Sequence, residues 1–139
     1  QPFTLLGAPW VNAAALNAAL PEPAGGAPRR WRAAYFIPTW WKFNGSACAG
    51  VQYARPDAAR LFVDGVALIA ALRALWPAQL AFDGAWFGQP GPQLFDRYAG
   101  TPRLRAMVEA NASAADIVAA FRGEAETFAN STRLPDLLY

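Results

Sequence analysis

The apolar and polar positions change their period several times along this chain, and each period predicts an element. Trp31, Ala33, Tyr35 and Ile37 fall at alternating positions, the period of a strand, and Pro38 ends that strand or holds it at a sheet edge. Ala47 to Tyr53 reads as a second strand. Asn44-Gly45 between them is a strong turn signal, so a hairpin is expected, with a connection longer than a tight turn. Three- and four-residue spacings mark the helices. Ala8 to Leu20 reads as a short helix with Pro9 near its start and Trp10, Ala14 and Leu16 on its apolar face. Asp57 reads as the N-cap of a helix whose apolar stripe is Leu61, Phe62, Val66, Ile69, Leu72 and Leu75, stopped by Pro77. Thr101-Pro102 opens a short helix through Ala110. Ser113 with Asp116 resembles a capping box for a helix carrying Ile117, Val118, Phe121, Ala125 and Phe128 on one stripe.

Between these elements, Pro21 to Pro28 and Phe82 to Pro92 are rich in Gly and Pro and read as loops. The end, Leu134 to Tyr139, is apolar and reads as a short strand or extended arm docked on the protein. The sum is an α+β fold: a small single domain, residues 1–139, with a short antiparallel sheet of two to four strands and about four helices.

Composition narrows the function classes. The chain has 139 residues, 55% of them apolar, enough to build a core and too apolar for intrinsic disorder. Its net charge is +2, and the one cationic cluster, Arg29, Arg30 and Arg32, reads as a solvated loop before a strand, so no nucleic-acid partner is expected. The most apolar run, Leu61 to Trp76, is interrupted by Asp64, Gly65 and Arg73 and falls short of the ~20 residues of a membrane span, so no membrane-spanning segment is expected. No basic segment precedes an apolar one in the manner of a signal peptide, and a start at Gln1 reads as a processed product or part of a longer protein.

Histidine is absent, which removes Ser-His-Asp and Cys-His nucleophile systems and the commonest metal ligand. Cys48, the single cysteine, lies among Ala47, Ala49 and Gly50 in a strand and reads as a small buried thiol. There is no Gly-rich phosphate loop and no metal-spaced cluster, so no cofactor and no metal is expected. Glycoside hydrolysis needs two carboxyl groups flanking the scissile bond. Asp57 reads as a cap and Asp64 as a surface group on its helix, while Asp83 and Asp96 remain open; sequence does not pair them. The densest chemistry is FIPTWWKFNGSACAGVQ, Phe36 to Gln52. Adjacent Trp40 and Trp41 cannot both point inward on an extended backbone, so one of them faces a cleft, a partner domain or solvent. Rings beside an isolated cation and amides suit a polar, ring-shaped ligand or a domain interface.

Four ordered segments carry a resemblance. Gln1 to Val11 (QPFTLLGAPWV), Phe36 to Gln52 (through Phe36, Pro38, Lys42, Gly45, Cys48, Gly50, Val51 and Gln52), Phe95 to Arg105 (through Asp96, Gly100 and Arg105) and the closing Leu137 to Tyr139 resemble the C-terminal portion of the NamZ-type exo-β-N-acetylmuramidases. The chain differs from that pattern at Ala54, where the family often has histidine, and in having no Glu from Phe82 to Leu94. The resemblance implies a domain that follows a larger Rossmann-like catalytic domain absent from these residues. It further implies that the essential glutamate lies in that N-terminal domain, and that the present chain forms one wall of an interdomain cleft for a peptidoglycan-derived sugar. No catalytic residue is then expected here. Lys42, Asn44, Gln52 and Asp96 would hydrogen-bond sugar hydroxyls or a lactyl carboxylate, with Lys42 as the cation for the anion, and Trp41 and Tyr53 would stack or shape the wall. A bacterial, secreted or periplasmic location is implied by the same resemblance. The alternatives are a non-catalytic carbohydrate- or cell-wall-binding module and a structural interaction domain.

Overall fold

The computed structural model describes residues 4–22, 29–40, 42–54, 60–82 and 91–133. They fall into two compact units, residues Gln1–Ala81 and Phe82–Tyr139. The elements are those of an α+β protein: a three-stranded antiparallel sheet and five α-helices among the described residues.

In the first unit the strands are β1 (Leu5–Ala8), β2 (Trp31–Phe36) and β3 (Cys48–Tyr53), in the order β1-β3-β2. The expected hairpin is present: β2 pairs β3 from Trp31↔Tyr53 to Phe36↔Cys48. The strand β1 is new. Residues 5–8 are too few to show a period, and the sequence pattern places Ala8 in a helix. That helix, α1 (Ala13–Ala19), starts later, because the Asn12 side chain accepts from the Ala15 amide at 2.9 Å and caps it.

Alternation along the strands sorts the sheet into two faces. Trp31, Val51, Tyr53 and Ala8 lie on the face that packs with Leu16 and Leu20 and with Leu68 and Leu72 of α2 (Leu61–Leu75). Gly7 and Gly50 are direct partners on the other face. A Cβ on Gly50 would sit 2.0 Å from the Leu6 carbonyl oxygen, and one on Gly7 would sit 2.3 Å from that of Ala49. The two backbones approach so closely here that only glycine fits.

The helix α2 ends as expected before Pro77, and Arg73 Nη1 donates to the Pro77 carbonyl at 2.8 Å. Its buried face differs from the expected stripe. Val66, Ala67, Leu68, Leu72 and Asp64 are buried, whereas Leu61, Phe62 and Leu75 are exposed. The helix is apolar almost all round, so its period does not fix which face turns inward. Asp57 lies outside the described residues.

In the second unit, α3 (Gly91–Ala99), α4 (Arg103–Glu109) and α5 (Ala114–Phe128) follow one another, and α5 continues into a π-helical turn at Ala129–Arg133. α3 was not expected, because Gly91-Pro92 reads as a breaker; proline is tolerated in a first helical turn, where its amide would have no intrahelical partner. Thr101 Oγ1 accepts from the Arg103 amide at 3.2 Å, but the N-cap position of α4 falls on Pro102, one residue later than expected, and carries no side-chain cap hydrogen bond. α4 closes with Asn111 at φ 57° and bonds from Asn111 to the Val108 carbonyl and from Ala112 to the Met107 carbonyl, the Schellman pattern. Ser113 caps α5 through the Asp116 amide at 3.1 Å, but its hydroxyl also donates to Asp116 Oδ2 at 2.6 Å, so the acid does not reach back to the cap amide as a capping box would require. Of the expected α5 stripe, Ile117 is buried, while Ala125 and Phe128 are exposed. The expected arm at Leu134 to Tyr139 lies outside the described residues.

Candidate functional site

The connection between β2 and β3 concentrates exposed chemistry. Gly45 donates from its amide to the Pro38 carbonyl at 2.9 Å, and Ser46 to the Phe43 carbonyl at 2.9 Å, with Gly45 at φ 74°. This is a four-residue turn with glycine where positive φ is needed. Phe43 also has positive φ, 64°, an unfavourable backbone for a bulky side chain. It is held there because its ring packs against the core. The turn therefore projects Lys42 and Asn44 outward while Phe43 anchors it, and the Lys42 ammonium lies 5.3 Å from the centre of the Phe43 ring. Tyr35, Ile37 and Trp40 are all strongly exposed, Trp40 at 79%. Trp41 lies outside the described residues. A mainly apolar hollow of about 410 Å³ is lined by Pro9, Tyr35, Phe36, Ile37, Ala47, Cys48 and Ala49. Cys48 is buried, as expected.

Gln52 and Tyr53 lie at the other end of the hairpin. Gln52 is four positions from Cys48, so about 13 Å of strand separates it from the last β2–β3 pair before the turn. Its side chain is on the face opposite the core, where Oε1 accepts from Arg32 Nε at 2.7 Å and from Arg32 Nη2. Tyr53 points to the core face. Its ring stacks on Trp31 at 4.3 Å and 23°, and its hydroxyl donates to Asp64 Oδ2 at 2.6 Å. Asp64 is 5% exposed, which corrects its reading as a surface group. The carboxylate is tolerated inside because Arg30 Nε lies 3.7 Å from Oδ2 and Arg60 Nε 3.8 Å from Oδ1. The sequence holds no signal for this, since Tyr53 and Asp64 meet only once α2 packs on β3.

Asp96 is in the second unit. Arg105 Nε and Nη2 donate to its two oxygens, each at 3.0 Å, a fork that ties α3 to α4. Arg105 also reaches Glu109 Oε2 at 3.0 Å. The Arg105 guanidinium is held above its ordinary pKa, first by the hydrogen bond to Asp96 and then by the charges of Asp96 and Glu109, with desolvation opposing them. An open depression of about 470 Å³ runs beside Asp96, Arg97, Gly100, Thr101 and Pro102.

The expected site residues therefore divide among three places: Lys42 and Asn44 at the hairpin turn, Gln52 and Tyr53 at its base, and Asp96 in the other unit. Arg32 is the polar residue that sequence reasoning passed over. Its signal was the hairpin register, which sets it directly opposite Gln52. Among the described residues of the first unit the carboxylates are Glu22 and Asp64, and both are ion-paired, Glu22 with Arg29 at 2.7 Å. No described group of three or more His, Cys, Asp or Glu could hold a metal ion. No described helix is long and apolar enough to cross a membrane.

Comparison with known proteins finds a family that matches the chain. The family model described as "Exo-beta-N-acetylmuramidase NamZ, C-terminal" matches residues 1–139. The chain is similar to the "Peptidoglycan beta-N-acetylmuramidase NamZ" of Bacillus subtilis (strain 168), with 28% identity over 144 residues. That match covers 100% of this chain and 32% of the relative, so the chain spans about a third of the relative's length. No solved structure matches it.

Proposed function

Because this chain belongs to the NamZ C-terminal family, we propose that it forms one wall of the substrate cleft of a peptidoglycan-directed exo-β-N-acetylmuramidase, inactive without an N-terminal catalytic domain. The observation that carries the reading is the hairpin turn, where Lys42 and Asn44 project beside exposed Tyr35, Ile37 and Trp40 on a backbone strained at Phe43. A strained turn anchored by core packing fixes the backbone from which Lys42 and Asn44 project, and so the points from which they can reach a sugar. The paired state of Glu22 and Asp64 supports placing the catalytic acid elsewhere.

In this reading Lys42 and Asn44 meet one part of a glycan fragment and Gln52 meets another, since the two ends of the hairpin are too far apart to hold a single ring. Tyr53 shapes the wall from behind, through Trp31 and Asp64, and does not offer its ring face to a sugar. Trp41 would stack on the sugar or shape the wall. Asp96 would accept from a hydroxyl with lone pairs that Arg105 leaves open. A secreted or periplasmic location in a bacterium would suit a substrate of this class. A second reading, a structural interaction surface, draws on the exposure of Tyr35, Ile37 and Trp40.

The test is kinetic. In the full-length protein, Lys42→Ala and Asn44→Ala should each raise KM for a chromogenic β-N-acetylmuramide by about 5- to 30-fold, the loss of one or two hydrogen bonds. Unchanged kcat and KM in both variants would refute the wall assignment. Asp96→Ala is read beside its unfolding midpoint, because it also removes the Arg105 pair.

A further inference from the structure

Arg29, Arg30 and Arg32 form the only cationic cluster in the sequence, and the structure treats its members differently. Arg29 pairs with Glu22 at 2.7 Å and donates from Nη2 to the Asn17 carbonyl at 2.6 Å. Arg30 pairs with Asp64. Arg32 is exposed and faces a neutral amide. At this end of the hairpin Arg30 and Arg60 lie within 4 Å of the Asp64 carboxylate, whereas Arg32 bonds Gln52 on the opposite face of the sheet. Among the described residues, no carboxylate forms an ion pair with Arg32.

Its geometry is specific. Nε and Nη2 form one edge of the guanidinium plane, and both donate to Gln52 Oε1. A donor pair at this point fixes the Gln52 amide with its oxygen toward Arg32. Gln52 is itself 8% exposed, so the acceptor that orients Arg32 is held in the sheet. The remaining edge, shared by Nη1 and Nη2, carries two parallel N–H groups pointing away from Gln52. That edge matches the two oxygens of a carboxylate, which a lysine ammonium cannot match in the same way. By contrast Lys42 is a point charge on a flexible stem at the far end of the hairpin, lying over the Phe43 ring.

We infer that Arg32, positioned by Gln52, is the carboxylate-binding group of this cleft wall and selects for an acidic sugar through its Nη1/Nη2 edge. The inference rests on the proposed muramidase reading, in which the ring bears a lactyl ether with a terminal carboxylate. It assigns recognition of that carboxylate to the base of the hairpin, leaving Lys42 to hydroxyls. No bond forms or breaks in this step; Arg32 is a specificity residue, and Gln52 is its positioning residue.

The experiment compares two substrates of the full-length protein: a chromogenic β-N-acetylmuramide and the same compound with its lactyl carboxylate converted to the neutral amide. The wild type should prefer the carboxylate. Arg32→Gln should lower kcat/KM for the carboxylate substrate about 10- to 100-fold, the range of a lost charge-assisted pair, and leave kcat/KM for the amide within about 2-fold. Arg32→Lys should recover only part of the loss, because it restores charge without the fork. Arg122→Gln, which removes an exposed cation from α5, should change neither substrate. Equal losses on both substrates in Arg32→Gln, or full recovery in Arg32→Lys, would overturn the assignment while leaving the muramidase reading in place. A wild type that turns over neither compound would overturn the muramidase reading and this inference with it. Unfolding midpoints of the variants, measured alongside, distinguish a lost contact from a lost fold.

Discussion

Replacing Asp64 by alanine tests the tie between α2 and the sheet. The carboxylate is 5% exposed, accepts from Tyr53 at 2.6 Å and lies within 4 Å of the Arg30 and Arg60 guanidinium groups. Removing one member of a fully buried pair costs about 3–5 kcal/mol, because the partner charge stays behind unpaired. Here the Arg30 and Arg60 side chains keep 22% and 42% of their exposure, so water takes up part of the freed charge. The expected loss is therefore about 2–4 kcal/mol. Tyr53→Phe removes one hydrogen bond to a charged acceptor and should cost about 1.5–3 kcal/mol. The two changes share a contact, so the double variant should lose less than their sum, by about 1–2 kcal/mol. Urea unfolding followed by tryptophan fluorescence gives the four midpoints, and constant slopes would license the comparison. A loss below about 0.5 kcal/mol for Asp64→Ala would place the residue with ordinary surface groups and refute the reasoning.

The remaining predictions concern the sheet, a cap and an ion pair. Gly50→Ala places a Cβ 2.0 Å from the Leu6 carbonyl and 2.6 Å from the Gly7 Cα, so β1 and β3 must separate. The expected cost is about 2–3 kcal/mol, read from the urea midpoint. Ser113→Ala removes the acceptor for the Asp116 amide and should cost about 1 kcal/mol by the same assay. For Arg105, the folded protein raises the pKa above its ordinary value, so its contribution is fully present below that value and disappears only as pH climbs through the raised one. Its titration should therefore leave stability flat between about pH 6 and about pH 9, well below the ordinary arginine pKa. A stability change in that window that vanishes in Arg105→Gln would contradict this.

What the sequence made legible was local. The β2–β3 hairpin, its Asn44-Gly45 turn, the buried Cys48 and the Ser113 cap each follow from residues close together in the chain. What it left hidden depends on contacts between distant segments. Asp64 sits in an apolar helix and looks like the polar side of it; its burial depends on Tyr53 and Arg30, which reach it only in the packed unit. The strand β1 has no period of its own, and its partner is more than forty residues away (Leu5↔Gln52 to Ala8↔Ala49). The helix α3 was masked by Gly91-Pro92, a pair that signals a break unless it falls in a first turn. For the site, the aromatic-rich segment was visible, but the spread of its polar residues over both ends of a hairpin was not. Arg32 was read as one of a solvated cluster, and the register shows it opposite Gln52.

The central claim is that this chain supplies a cleft wall and depends on a catalytic domain it does not contain. The most direct measurement is release of N-acetylmuramic acid from a chromogenic β-muramide by this chain, by the full-length protein, and by the full-length protein with Lys42→Ala. The account predicts no release by the chain, release by the full-length protein, and a raised KM in the variant. Release by the chain at a rate comparable to the full-length protein would contradict it.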